Sequence, residues 1–418
     1  MNSKIIVHTH HAFALLSVLV AAACGSSTPT SDPGTSDVVP TETTQGATLP
    51  GTNADPTAPG APAGGTTAGT PAGNAAAPDA PSATAGGEPA TPATTPGSPA
   101  APASPARPMP YRGINLAGGE FGSAIPGVNG SDYAFPTTSE VDYYLSKGMN
   151  TFRMGFKWER MQPAANGSFV TAYDAGLASI VAYATSKGAK VIVQPHNFAR
   201  YYGNAIGSAQ VPNAVFADFW GRMATEYGSN ANVMFNLVNE PHDISTTQWV
   251  SAANAAIAAI RSTGAKNTIV VPGASWTGAH SWSSGDGYGS SNAVAMLGIV
   301  DSGKNFLVEA HQYLDSDSSG SGGACISTTI GSERLAGWLK WLRDNHLRGM
   351  LGELAGGDNA TCNAAVTDML TTMMANADVL DGWTWWAGGP MWGSYIFTLD
   401  PVGGKDRPQM ALLTPFLE

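Results

Sequence analysis

The sequence predicts a (β/α)8 barrel behind a long segment that has no core of its own. Three observations carry this expectation. Composition changes abruptly near residue 108. Beyond that point short apolar runs alternate about eight times with amphipathic stretches, and polar residues gather where the apolar runs end.

From Gly25 to Pro108 the chain is almost entirely Ala, Pro, Gly, Thr and Ser. It offers scarcely any surface to bury, so it is expected to be disordered. Residues 109–418 hold nearly all the Trp, Tyr and Phe, and roughly 310 residues exceed the ~250 of a typical barrel only by modest loop insertions. The formal charge is −11, and Asp32, Asp37, Glu42, Asp55, Asp79 and Glu88 of the first segment face one base, Arg107. The folded part is left with 25 acids and 18 bases. No block of Lys or Arg is present to neutralise a phosphate backbone, so nucleic acid is not an expected partner.

At the amino terminus Lys4 is followed by an apolar run centred on Ala12 to Val20, then Ala21, Ala22 and Ala23 directly before Cys24. This reads as an export signal, too short to span a membrane as a mature helix. The small residues before Cys24 resemble a bacterial lipoprotein lipobox, although Ala21 stands where Leu is usual. The resemblance implies a signal peptide over 1–23, a lipidated Cys24 opening a linker over 24–108, and a barrel over 109–418. An ordinary signal peptide with Cys24 discarded is the alternative. The remaining cysteines, Cys325 and Cys362, both fall in the folded part; export permits a disulfide between them, and two unrelated buried thiols remain the other reading.

Eight strands are expected, at Arg112–Ala117, Asn150–Gly155, Lys190–Pro195, Val233–Val238, Thr268–Pro272, Phe306–His311, Gly349–Gly352 and Gly382–Trp386. Helical patterns lie between them at Tyr173–Lys187, Asn213–Tyr227, Gln248–Arg261, Glu333–Asn345 and Ala364–Asn376. Strand and helix in alternation argue for parallel βα units. Two helices run into glycine, at Gly188 and Gly264, where the chain must turn back with positive φ. An open dinucleotide-binding sheet would alternate similarly, but no GxGxxG turn follows the first strand.

Barrel active sites form at the carboxyl ends of the strands. There the sequence places Arg153, then Gln194-Pro195-His196-Asn197, Asn239-Glu240-Pro241-His242, Glu309-Ala310-His311-Gln312-Tyr313, Gly352-Glu353, and Trp383, Trp385 and Trp386. Carboxylates at the fourth and seventh strand ends would face each other across the barrel mouth. If they stand ~5 to 5.5 Å apart, one attacks an anomeric carbon while the other protonates the leaving oxygen. Like charges that close cannot both ionise comfortably, so one remains an acid.

The run of motifs is specific. TFRMGFKWERM (Thr151–Met161), VIVQPHNFARY (Val191–Tyr201), NLVNEPHD (Asn236–Asp243), HQYLDSDSSG (His311–Gly320), GELAGG (Gly352–Gly357) and GWTWWAGGPMWGSYIFTLDP (Gly382–Pro401) occur in order. In them the chain from 111 to 418 resembles glycoside hydrolase family 5, and most closely its fungal-type endo-β-1,4-glucanases. The resemblance implies a retaining β-1,4-glucanase acting on cellulose or related β-glucan; a monomer with no metal or other cofactor is expected. Glu240 is then the acid/base and Glu353 the nucleophile, and Arg153, His196, Asn239, His311, Tyr313 and Trp386 match the other active-site positions.

Elementary chemistry fits these roles. Arg153 can hold a nucleophilic carboxylate ionised, and Asn239 can offer its amide to a sugar 2-hydroxyl. Tyr313 can donate to Glu353 or to the region of the sugar ring oxygen, and His196 can bind a subsite hydroxyl or support Arg153. Trp386 is the expected platform beneath the cleaved sugar. Trp158, Tyr201, Trp276, Trp282 and Trp392 lie just past strand ends, as candidates for further subsites or for plain packing. A metallohydrolase built on His196, His280 and His311 is opposed by the lack of His-x-His on the first strand and of HExxH anywhere. A mannanase or xylanase of the same fold, and a non-catalytic carbohydrate-binding surface lipoprotein, are the remaining alternatives.

Overall fold

The computed structural model describes residues 109–284 and 289–418. The expected signal peptide, the lipidation at Cys24 and the linker therefore lie outside the described residues. Eight parallel strands close into a barrel: β1 (Tyr111–Leu116), β2 (Thr151–Phe156), β3 (Lys190–Pro195), β6 (Val233–Asn236), β7 (Ile269–Pro272), β8 (Phe306–Gln312), β9 (Gly349–Leu354) and β10 (Leu380–Gly388), with β10 pairing back onto β1. Two short antiparallel strands, β4 (Arg200–Tyr201) and β5 (Asn204–Ala205), form a hairpin after β3.

The helices are α1 (Thr138–Ser146), α2 (Trp158–Met161), α3 (Thr171–Ser186), α4 (Asn213–Tyr227), α5 (Thr246–Ser262), α6 (Asn292–Ala295), α7 (Ile330–Asp344), α8 (Ala360–Ala375) and α9 (Pro408–Leu413). The eight strands and five helices expected from the sequence are all present. α1 was not expected, because it buries only Val141 and Tyr144 and shows little periodicity. Its start was nevertheless written in the chain, since Thr137 and Glu140 form a complete capping box, a pattern that satisfies two otherwise orphaned backbone donors. Gly188 and Gly264 have φ of 83° and 87°, as the helix ends there require.

Each long helix covers the barrel with one apolar stripe. In α4 the stripe is Val215, Phe216, Phe219, Trp220, Met223 and Tyr227, at the three-and-four spacing of one helix face. Trp158, Trp220, Trp249, Trp282, Trp338, Trp383 and Trp385 are among the largest fully buried side chains. An aromatic side chain buries on the order of 200 Å², worth about 5 kcal/mol of gross transfer free energy before chain entropy is charged against it.

The barrel interior is layered. Ile192, Met234, Val270, Leu307 and Met350 form a separate apolar cluster with Tyr111 beside it. Two residues further along their strands stand Gln194, Asn236, Glu309 and Gly352, and Asn115 and Arg153 belong to the same polar level, all but the glycine among the buried polar residues. Alternation along a strand sends every second side chain inward, so an apolar plug is followed by a polar floor, and the floor carries the site.

Candidate active site

Arg153 on β2 is fully buried and organises this floor. Its Nη1 donates to Asn115 Oδ1 and to Glu353 Oε1, both at 2.8 Å. Its Nη2 donates to Asn239 Oδ1 at 2.9 Å and Asn236 Oδ1 at 3.3 Å. Nε lies 3.1 Å from Glu309 Oε1. A guanidinium has five N–H groups in a rigid fork, and here each faces an acceptor from a different residue.

Glu353, on β9 and almost wholly buried, also accepts from the Tyr313 hydroxyl at 2.7 Å. Burial and the charge of Glu353 push the Tyr313 hydroxyl far above its ordinary range, so it stays a donor. Burial raises Glu353 above the usual carboxyl range and the nearby Glu240 adds to this, while His311, Arg153 and Tyr313 pull it back. Glu240 follows β6 with φ of 41°, a left-handed conformation uncommon outside glycine. Its Oε1 is 2.8 Å from His311 Nδ1. Oxygens of Glu240 and Glu353 and a nitrogen of His311 lie within 4.8 Å of one another.

His311 touches three carboxylates: Glu240, Glu353 Oε2 at 3.6 Å, and Glu309 Oε1 at 3.5 Å from the other ring nitrogen. Burial alone would lower its pKa, but Glu353, Glu240 and Glu309 together push it up to about 9. His196 is the opposite case: burial, with Arg153 and His311 nearby, holds it well below the ordinary range and therefore neutral. Its Nε2 lies 3.1 Å from Asn239 Nδ2. Asn239 Oδ1 is committed to Arg153, so that amide nitrogen is a donor and His196 Nε2 is unprotonated. His196 does not hydrogen-bond to Arg153 directly; it acts on the same amide and stacks on Trp386, with ring centroids 5.6 Å apart.

Above this floor lies a cleft. On the β7 side a cavity of about 530 Å³ is lined by Glu240, Trp276, His280, His311, Tyr313 and Asp317. Trp276 is 47% exposed, lies flat on His242 at 4.5 Å, and sits in a run with Ser275 and Thr277 of three left-handed residues. On the β10 side Trp386 meets Trp392 edge to face at 5.5 Å, and Trp392 stacks on Tyr395 at 4.4 Å. Trp158, Tyr201 and Trp282 do not reach the cleft; each is buried, with Trp158 packed against Tyr201, Phe216 and Phe219. A strand-end position alone does not tell whether an aromatic turns to the cleft or under a helix.

Cys325 and Cys362 are disulfide-bonded, with Cα atoms 5.1 Å apart. The bond ties the loop after β8 to the start of α8. Within that loop Asp315 accepts from the backbone of Gly320 and Gly322, which folds it into a compact turn beside Tyr313.

Asn115, Asn236, Glu309 and Gly352 had been given no role by sequence reasoning. Their signal was the inward period of two on their strands. A Cβ on Gly352 would sit 2.0 Å from Glu309 Oε1 and 2.9 Å from His311 Nε2, so only glycine leaves room for that pair.

Comparison with known proteins agrees with this arrangement. The family model described as cellulase (glycosyl hydrolase family 5) matches residues 111–389. Endo-beta-1,4-glucanase B of Aspergillus niger is 42% identical over 293 residues, covering 70% of this chain and 85% of the relative. Among solved structures, the endo-beta-1,4-glucanase Xac0029 from Xanthomonas axonopodis pv. citri is 48% identical with a TM-score of 0.72, over 73% of this chain and 98% of the other. XacCel5A, solved in complex with cellopentaose, is 45% identical with a TM-score of 0.72, over 74% of this chain and 99% of the other.

Proposed function

Because the chain belongs to glycosyl hydrolase family 5, we propose that it is an endo-β-1,4-glucanase that hydrolyses cellulose or a related β-glucan with retention of anomeric configuration. The observation that carries this reading is the pair Glu240 and Glu353, with oxygens within 4.8 Å at the ends of β6 and β9. Carboxyl groups about 5 to 5.5 Å apart leave no room for the water that an inverting enzyme activates, which needs ~6.5 to 9.5 Å.

Glu353 is the nucleophile. One of its oxygens accepts from Arg153 and the other from Tyr313, so both favour its ionised form. Glu240, the more exposed of the two and the one without an arginine partner, enters the reaction as the acid. Glu353 attacks the anomeric carbon while Glu240 gives its proton to the departing glycosidic oxygen. A covalent glycosyl-enzyme forms, and Glu240 then takes a proton from the water that releases it. Asn239, fixed by Arg153 and His196, is placed to meet the 2-hydroxyl. Trp386 and Trp276 offer aromatic faces on either side of the carboxylates for the apolar faces of successive sugar rings.

In this reading residues 1–23 are an export signal, Cys24 carries lipid, 24–108 is a tether, and 109–418 is the catalytic barrel, working outside the cytoplasm on polymer too large to enter the cell. Hydrolysis of soluble carboxymethyl cellulose by the parent, abolished in Glu353→Gln, tests the assignment. Turnover of mannan or xylan in preference to β-1,4-glucan would overturn the substrate, and an initially inverted anomer by NMR would overturn the mechanism.

A further inference from the structure

Glu309 lies beneath the cleft, out of reach of any sugar, and is wholly buried. An ionised carboxylate in such a place costs several kcal/mol unless its surroundings compensate it. The compensation is specific. Asn236 Nδ2 donates to Oε2 at 2.5 Å, while Arg153 Nε and His311 Nε2 approach Oε1 at 3.1 and 3.5 Å. None of the three atoms Arg153 Nε, Glu309 Oε1 and His311 Nε2 has a well-formed hydrogen bond elsewhere among the described residues. Gly352 leaves the space they occupy.

We propose that Glu309 is a positioning residue, a carboxylate that from below fixes His311 as an imidazolium whose Nδ1–H points at Glu240. The inference rests on the reading of Glu240 as acid/base. It follows from what each ring nitrogen faces. Nδ1 is 2.8 Å from Glu240 and Nε2 faces Glu309, so both nitrogens look at carboxylate oxygen and both are best served by carrying a proton. A neutral imidazole would turn a bare lone pair either toward Glu309 or, from Nδ1, toward the Glu240–Glu353 pair, whose Glu353 Oε2 lies 3.6 Å away and carries negative charge.

The groups facing His311 are Glu240 from the end of β6, Glu353 from β9, Glu309 and Tyr313 from its own chain segment, and, less closely, Arg153 from β2 and His196 from β3. Counting formal charges, Arg153 and His311 are positive and His196 and Tyr313 are neutral. With Glu240 protonated, Glu353 and Glu309 balance the two cations and the buried site is neutral overall. Without the charge of Glu309 the same state is cationic. Every proton-holding group above it then releases its proton more readily.

The variant Glu309→Gln therefore moves the basic limb of the kcat/KM–pH profile, measured on an unactivated soluble cello-oligosaccharide, toward acid by about one unit or more. Glu309→Asp keeps the charge at slightly shorter reach and restores most of that shift. A Glu309→Gln profile that is lower in height but superimposes on the parent after scaling would mean a structural role only and would overturn the proposal. Should Glu309→Gln fail to fold, imidazole 15N shifts of the unaltered protein decide: His311 retains imidazolium shifts at neutral pH, whereas neutral-ring shifts at pH 6 would overturn the proposal. The NMR experiment needs no substrate, so an inactive enzyme would count against the proposed function and leave this test intact.

Discussion

Replacing Arg153 by Met keeps much of the side-chain volume and removes the charge that the site is built around. Glu309 and Glu353 then lose the guanidinium that lies 3.1 and 2.8 Å from them, and both are buried. Breaking a buried ion pair by removing one partner costs about 3 to 5 kcal/mol, because the remaining charge is stranded. For a domain of this size that corresponds to a fall in Tm of about 5 to 8 °C. The loss should depend on pH. In the parent, burial pushes Glu309 up, but Arg153 and His311 more than offset this and hold it below the ordinary carboxyl range. A carboxylate with a depressed folded pKa contributes stability above its unfolded pKa of about 4.3, and loses it as pH falls through the folded value. In Arg153→Met burial is opposed by one cation fewer, Glu309 and Glu353 take up protons more readily, and the folded variant is relieved by acid. Melting curves by calorimetry at pH 7 and pH 4.5 should therefore show the gap between parent and variant narrowing at the lower pH. A gap of the same size at both would refute the claim that stranded buried carboxylates are the cause.

Glu240→Ala should lose several orders of magnitude in kcat on cello-oligosaccharides and far less on aryl cellobiosides whose leaving group needs no proton; equal losses on both would contradict the acid/base role. Opening the Cys325–Cys362 bond by the double substitution to Ser should cost ~3 to 4 kcal/mol on chain-entropy grounds for a loop of 37 residues, read as a lower denaturant midpoint with little change in KM for short oligosaccharides. Gly352→Ala drives a methyl group into Glu309 and His311 and should cut kcat severely in a protein that still shows a cooperative melt; near-parental kcat would show that the floor is softer than its packing indicates. If the proposed anchor and tether are right, Cys24→Ser should release the protein from the membrane fraction, whereas shortening 25–108 should leave turnover of soluble glucan unchanged and lower action on bulky substrate. Loss of activity on soluble oligosaccharides in the shortened protein would rule out a pure tether.

The strands were legible in the sequence because a barrel strand is short, apolar and closed by a turn, and five helices because their stripes repeat at helical spacing. The pair Glu240 and Glu353 was legible because strand ends in a barrel converge on one face, so chemistry at those positions is brought together whatever the loops do. What could not be read was direction. Trp158 and Trp276 both follow strand ends, yet one is buried and the other is 47% exposed, a difference decided by the left-handed run at Ser275–Thr277 and by the stacking of His242. The division of labour between the histidines was equally hidden. His196 and His311 each stand at a strand end beside Arg153, and only the neighbours brought in from other strands, an amide donor for one and three carboxylates for the other, make the first neutral and the second charged.

That contrast explains why the barrel spends stability on a polar floor rather than extending its apolar plug upward. A hydrophobic replacement for a buried ionic network is often neutral or stabilising, so Arg153, Glu309, Asn115 and Asn236 are poor choices on stability grounds alone. They are well placed for a reaction in which a proton and a negative charge change hands within 4.8 Å. Flexible polar groups would have to reorient as charge moves within the site, whereas groups already fixed by one another do not. Arg153 is held by five residues, and Asn115, which receives one of its N–H groups, donates in turn to the carbonyls of Gly352 and Trp385 on the two strands carrying Glu353 and Trp386. Arg153 and the strands that carry Glu353 and Trp386 are thus tied through one amide.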